Sequence, residues 1–370
     1  MTLIIFIFHL FFWILAFRFG SEELANYINE FPNLTWRARS YNFPVRKEMP
    51  ILLSDIHSSK QQMIPISKSL NKSSEYNFFI ANSHCIQAIY NQKKCHKCYA
   101  FAAASVLSQR FCKVLHKNFH FDPYDLINND YFSPGCSTGG HEHLMWKYIQ
   151  YNGLTNKSCR NQTSKLIKCI TSESKNDSTN NPLCNKDNSK NDMNKNENNK
   201  NENKNNKNEN NKNVNHKNDN NKNENNGFQM KVLNANNNTL EEFDFEKCLK
   251  YYIKYRSAKT LIGEEAIQSE ILENGPVTAL FKMNDDFGNY ESGIYKSIFD
   301  NDAPSQLHTV VIYGWGIEND VPFWLIQNSY GKDWGINGSF KMIRGINHLG
   351  IEEYATAALP LIEEKESKIS

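Results

Sequence analysis

The chain lacks a dominant charge: 42 lysines and arginines stand against 40 aspartates and glutamates in 370 residues, a formal net charge of +2. Composition therefore makes no case for nucleic-acid binding, which would need a basic excess. It also lacks an apolar run long enough for a bilayer, which takes about 20 residues. The longest run, Leu3 to Phe17, is interrupted by His9. Its length suits a signal-peptide core, with small residues at Gly20 and Ser21 for cleavage, the alternative being an uncleaved anchor. Residues 1–20 are thus expected to lead the chain into the secretory pathway. Two absences bear on Cys95-His96-Lys97-Cys98. There is no second C-x-x-C, so zinc would have to draw on Cys136, His141 and His143 nearby. There is no βαβ pattern around it either, which weighs against a thioredoxin-like redox pair. Finally, Asn185 to Asn226 has no apolar period, being almost pure Asn, Lys, Glu and Asp. Such a segment cannot bury enough surface to offset its ordering entropy, and is read as a disordered insertion in a surface loop.

What is present points to an oxidising compartment. Nine cysteines leave one thiol over after pairing, and seven N-x-S/T sequons (Asn33, Asn71, Asn156, Asn161, Asn176, Asn237, Asn337) are compatible with glycosylation. Cys98 to Cys112 reads as a helix whose small and apolar residues, Ala100 to Ala104 with Val106 and Leu107, suit burial on all sides. Glu264 to Glu273 is helical in pattern and ends at Asn274-Gly275-Pro276. Strand-like runs follow at Val277–Leu280, Thr309–Tyr313, Phe323–Ile326 and Ser339–Ile343. A helix-rich first half and a strand-rich second half predict an α+β protein with two lobes.

The stretch from Gln92 to Phe101 is the most informative. Beside the zinc and redox readings, it fits one disulfide cysteine next to a reactive thiol. A cysteine opening a helix beside Lys97 and His96 has its thiolate favoured by the helix dipole and the cations. Gln92 lies six residues earlier, on the entering loop, where its side-chain NH2 and the Cys98 backbone N–H can form an oxyanion hole. The pattern Gln-x-x-Cys-x-x-Cys-aromatic-Ala-Phe resembles the nucleophile motif of the papain family of cysteine peptidases. That resemblance implies Cys98 as nucleophile, Gln92 as oxyanion partner, and Cys95 as a disulfide cysteine paired with Cys136. Gly135-Cys136-Ser137-Thr138-Gly139-Gly140 is similar to the family's Gly-Cys-x-Gly-Gly loop with one residue more, which makes Gly139 and Gly140 substrate-binding positions.

Of eleven histidines, His308 stands out because it opens the apolar run Thr309 to Tyr313. A polar ring at the mouth of a buried strand is held rigidly. Twenty residues on, Asn328 closes Phe323 to Gln327 and is placed to accept from the second nitrogen of His308, fixing tautomer and ring angle. The order Cys, His, Asn is strongly specific. From Cys98 to His308 is 210 residues, and 168 once the Asn-rich tract is removed, against about 130–150 for the family. The excess resembles the cathepsin B-like branch with its extra loop. Asn26-Tyr27-Ile28-Asn29 through Thr35-Trp36 is similar to that branch's short propeptide, giving a propeptide at 21–63 and a peptidase domain at 64–370. Ser108 to Cys112, Asn274-Gly275-Pro276-Val277, Gly314-Trp315-Gly316 and Gly350-Ile351-Glu352 also match. The resemblance further implies Cys85–Cys112, Cys159–Cys248 and Cys169–Cys184 pairs.

Several positions depart from the family. His96-Lys97 replaces Gly-Ser, which puts two cations at the cleft wall and narrows the pocket for the residue before the cleaved bond. Tyr99 replaces the common Trp, and Thr309 stands where Ala is usual. Tyr330 replaces the Trp that shields the Asn–His hydrogen bond. Cys159 to Cys184 holds no histidine, whereas the branch uses paired histidines there to bind a substrate carboxylate, so endopeptidase action is expected. Tyr354, in place of an acidic residue on the floor of the P2 pocket, predicts apolar P2 residues. The resemblance as a whole implies a monomeric zymogen acting on polypeptides, inhibited by its own propeptide, with no metal or organic cofactor and no nucleic-acid partner. It also implies a lysosome-like, vacuolar or extracellular destination. The rival reading is a secreted pseudopeptidase that keeps the fold to bind a partner.

Overall fold

The computed structural model describes residues 19–43, 73–129, 135–137, 139–140, 142–160, 231–234, 239–242, 248–299 and 306–362. The chain divides into two compact units, residues 1–160 with 245–370, and residues 161–244. The first unit begins with helix α1 (Glu22–Asn29) and strand β1 (Trp36–Ala38). Ser21 caps α1 by accepting from the Leu24 N–H at 3.2 Å, and Glu22 and Glu23 complement the positive helix end. Leu24, Ala25 and Ile28 share the buried face.

Strand β2 (Tyr76–Asn77) and the short α2 (Phe78–Ala81) precede the central helix α3 (Cys98–Leu115). Helix α3 runs three residues past the expected Cys112, stopping where His116 turns left-handed and its N–H bonds the Cys112 carbonyl at 2.8 Å. Every residue from Tyr99 to Cys112 is buried. With α4 (Pro123–Asn128) and α5 (Glu142–Asn152), α3 builds a helical core around Phe101, Phe111, Phe121, Leu126, Trp146 and Ile149. In the second unit, the described residues form one antiparallel hairpin, β3 (Lys231–Asn234) with β4 (Thr239–Glu242).

The rest of the first unit contributes β5 (Lys259–Leu261), α6 (Glu264–Asn274), β6 (Val277–Met283), β7 (Tyr290–Tyr295), β8 (Gln306–Glu318), β9 (Val321–Gln327), β10 (Ser339–Ile343) and β11 (Ala355–Ala357). The sheet order is β1-β7-β10-β9-β8-β6-β11-β5, with β2 added against β8. All pairs are antiparallel except β10 with β7. Its core gathers Trp36, Phe281, Phe287, Trp315, Trp324 and Phe340. Helices on one core and a mixed sheet on the other make the expected α+β, two-lobed architecture. Three strands outrun their apolar cores in the sequence. The β6–β8 ladder, for example, continues from Val277↔Ile312 to Met283↔Gln306. Backbone pairing between neighbours carries it beyond the apolar residues, so His308 sits within the strand, opposite Phe281, rather than opening it.

One side chain ties the lobes together. Arg110 of α3 is fully buried and donates to Glu270 (2.8 Å) and to the carbonyls of Pro276 (2.7 Å), Gly275 (2.9 Å) and Ala358 (3.1 Å). Glu270 also meets Lys259 at 2.5 Å. Burial opposes ionisation of Glu270, but Arg110 and Lys259 outweigh it and hold the carboxyl below its ordinary value. Disulfides join Cys85 to Cys112, Cys95 to Cys136 and Cys159 to Cys248. The expected Cys169–Cys184 pair lies outside the described residues, as do the apolar leader up to residue 18, residues 44–63 of the expected propeptide, and the 185–226 tract.

Candidate active site

Cys98 is the first residue of α3 and the one free cysteine among the described residues. Its partner Cys95 in the C-x-x-C is spent on Cys136, which removes both the zinc and the redox-pair readings of the motif. Across the lobe junction, the Thr309 N–H of β8 donates to the Cys98 sulfur at 3.4 Å. That contact brings the residue next to His308 onto the thiol. His308 is 2% exposed, and its Nε2 hydrogen-bonds Asn328 Oδ1 at 2.8 Å, just past the end of β9. An accepting carbonyl there puts the proton on Nε2 and leaves Nδ1 as the basic nitrogen. The same oxygen accepts from the Ser329 N–H at 2.8 Å, which holds the amide in place. Tyr330 stacks on the imidazole (centroids 5.2 Å, planes 29°) and Phe281 meets it edge-on at 5.8 Å. The Tyr330 ring, though smaller than the usual Trp, does cover the histidine.

Gln92 reaches the site through a short backbone bridge between Asn91 and Tyr330. Its N–H donates to the Ser329 carbonyl at 2.8 Å, its Oε1 accepts from the Ser329 hydroxyl, and its Nε2 donates to the Cys95 carbonyl at 2.9 Å. An amide nitrogen carries two hydrogens, so one remains for an oxyanion. Ser329 escaped the sequence reading, where its neighbours Asn328 and Tyr330 drew attention.

The loop after Cys136 is shaped by two contacts. A Cβ on Gly140 would lie 2.5 Å from the Tyr99 ring, so the backbone approaches α3 as only glycine allows. Lys97 donates from Nζ to the Gly139 carbonyl at 2.8 Å, lies 5.6 Å from the centre of the Tyr99 ring, and is fully buried. The expected narrowing of the cleft by Lys97 is therefore corrected. Its stem packs inward, because a carbonyl and an aromatic face are available to its ammonium there.

The electrostatics depart from the sequence reading. A helix N-terminus beside cations favours the thiolate, yet burial pushes the Cys98 thiol up. The Thr309 backbone and side chain and the Tyr99 N–H pull it back, and the charge of Glu142 raises it again. Glu142, in the first turn of α5, is buried, and neither carboxylate oxygen has a hydrogen-bond partner. Burial lifts it to about 7, with the Thr309 side chain opposing. Tyr354 is pushed up to about 12, first by burial and then by Glu142. Nothing in the sequence singles out Glu142, since an acidic residue opening a helix reads as a favourable terminus.

Comparison with known proteins gives the family. The family model described as papain family cysteine protease matches residues 76–359. Over 108 residues the chain is 43% identical to cathepsin B-like cysteine proteinase 1 of Ostertagia ostertagi, and over 98 residues 49% identical to that of Haemonchus contortus. The matched stretches cover 29% and 26% of this chain, and 30% and 27% of those relatives, well under two thirds of their length. In fold, the chain is similar to procathepsin B S9 of Trypanosoma congolense, with TM-score 0.61 and 20% identity over 92% of this chain and 99% of that one. It is also similar to procathepsin L 3 of Tenebrio molitor, with TM-score 0.53 and 13% identity over 91% and 87%. With a free cysteine opening the central helix, a histidine–asparagine pair across the junction and a family match over most of its length, this chain belongs to the papain family of cysteine proteases.

Proposed function

We propose that the protein is a zymogen whose mature form hydrolyses peptide bonds by acyl transfer. His308 and Cys98 form an imidazolium–thiolate pair, and the thiolate adds to the substrate carbonyl. The oxyanion is held by Gln92 Nε2 and the Cys98 N–H, and His308 returns its proton to the leaving amine. Water, deprotonated by the same ring, then releases the acid from the thioester. The observation that carries this is the 3.4 Å contact of the Thr309 N–H with the Cys98 sulfur, beside a histidine already oriented by Asn328 at 2.8 Å. Burial of the thiol works against its ionisation, so the imidazolium partner is what must stabilise the thiolate.

Endopeptidase action is the mode we favour, because Cys159 to Cys184 carries no histidine to take a substrate carboxylate. Residues 21–63 act as the inhibitory segment. Support comes from its described part, which adds β1 to β7 and packs Phe43 on Tyr330 (5.5 Å). The disulfides and sequons favour a secretory route to a lysosome-like, vacuolar or extracellular site. The processed protein is expected to react irreversibly with an epoxide thiol probe. Labelling should vanish in Cys98→Ala, fall by about a hundredfold or more in His308→Ala, and persist in Cys95→Ala. An unlabelled but folded processed protein would point instead to a papain-like binding protein without catalysis.

A further inference from the structure

The segment that leads into the nucleophile clamps the loop after Cys136 with three successive residues. Cys95 is bonded to Cys136, the His96 N–H donates to the Cys136 carbonyl at 3.0 Å, and Lys97 Nζ donates to the Gly139 carbonyl at 2.8 Å. The first two contacts act on one residue, Cys136. The lysine reaches three residues further, to the paired glycines, whose backbone has the widest choice of conformation and no side chain by which to be held.

On local grounds, lysine is a poor choice for position 97. The residue is the N-cap of α3, where Ser, Thr, Asp or Asn would accept from the free N–H groups of the first turn. An ammonium only donates, and no side-chain cap is made there. The side chain is also fully buried, which costs a charged group its hydration. The Gly139 carbonyl and the face of Tyr99, 5.6 Å from Nζ, offset part of that cost. The helix is capped less well for having this lysine, and the disulfide is made without it. Its effect therefore falls on the loop.

That loop borders the nucleophile. Tyr99, whose ring backs Gly140, is the residue after Cys98. Gly139 is half-buried, whereas Gly140 is exposed. A bare glycine backbone beside a nucleophile offers an edge on which an extended peptide can pair its own N–H and C=O groups. Fixing such an edge beforehand lowers the ordering cost of binding.

We propose that Lys97 is a positioning residue for substrate binding: its ammonium fixes the Gly139 carbonyl and so presets the backbone edge at Gly139 and Gly140 that receives an extended peptide. The proposal rests on the reading of Cys98 as a peptidase nucleophile. In this role Lys97 acts through the loop, apart from the reacting atoms.

The test uses the full-length chain after limited proteolysis has removed its inhibitory segment. Lys97→Met keeps the apolar stem and removes the charge, while Lys97→Ser supplies a helix cap and abolishes the reach to Gly139. Both kcat and KM are measured on one fluorogenic peptide amide, and alkylation of Cys98 by iodoacetamide is followed across pH. Each variant should raise KM about tenfold, as expected for loss of a hydrogen bond from a charged group, with kcat within about twofold of the parent. Should Lys97→Met fail to fold, Lys97→Ser carries the test alone. An unchanged KM in Lys97→Ser overturns the proposal. So does a loss that falls mainly on kcat, and a displaced alkylation profile would then assign Lys97 to the thiolate. If the parent cleaves no peptide, the peptidase reading fails, and the same peptide is titrated calorimetrically onto Cys98→Ala with and without Lys97→Ser. Binding weakened about tenfold by the second substitution still supports the assignment, and equal or absent binding ends it.

Discussion

At the residue scale, the site is built from side chains whose partners are short-range and directional. Asn328 Oδ1 serves both the ring of His308 and the N–H of Ser329, and Ser329 in turn holds Gln92. His308 and Gln92, the proposed base and oxyanion donor, are thus oriented through one dipeptide. Glu142 carries a separate, measurable consequence. Its folded value of about 7 lies above the ordinary 4.5, with Cys98 and Tyr354 as the titratable groups facing it. A carboxyl raised on folding stabilises fully below its unfolded value, and that stability is lost as pH rises toward 7. The difference corresponds to about 3 kcal/mol. In urea titrations at pH 4.5 and 8, Glu142→Gln should therefore gain on the parent chain at the higher pH by an amount of that order. A gap between the two proteins that is the same at both pH values would contradict the burial of an ionisable group there.

At the scale of elements, α3 does two jobs from opposite sides. Its first residue supplies the thiol, and Arg110, three turns on, locks it to the sheet lobe through four acceptors. Removing one member of a buried ion pair leaves the other uncompensated, at about 3–5 kcal/mol. Arg110→Ala is expected to destabilise by that amount in denaturant titration, and also to reduce thiol labelling, because the Thr309–Cys98 contact depends on lobe registry. A variant as stable as the parent would show that the apolar packing alone holds the lobes. The extent of the strands was the least legible feature here. Apolar periodicity marks where β6, β8 and β9 are buried, whereas their ends follow ladder pairing with neighbours far away in the chain.

At the scale of the whole molecule, the N-terminal segment is held as though it were part of the sheet. Trp36 is buried, stacks on Tyr290 (6.2 Å) and donates its indole N–H to the Lys296 carbonyl at 2.9 Å. Asn289 closes the arrangement, donating to the carbonyls of Ser21 and Arg39 and accepting from the Gly20 N–H. A buried tryptophan anchor truncated to alanine costs about 2 kcal/mol or more, or about thirtyfold in affinity. Trp36→Ala should accordingly speed activation of the zymogen, read as the lag before peptide cleavage begins. An unchanged lag would place the inhibitory contacts elsewhere.

Cys98, His308, Asn328 and Gln92 stood out in the sequence as candidate nucleophile, base, orienter and oxyanion amide because each sits in a short local pattern: a helix start, an apolar run, a residue closing one. The α+β class was readable from the same periodicities. Other features had no local signal. Lys97 looks like a cleft-wall cation until the Gly139 carbonyl and the Tyr99 ring are seen to receive it. Glu142 looks like an ordinary first-turn acid until Cys98, Thr309 and Tyr354 close around it. Residue type and spacing decide which chemistry is possible. Desolvation and charge pairing depend on distances between segments far apart in the chain, so only the folded arrangement decided which groups are buried and which are neutralised.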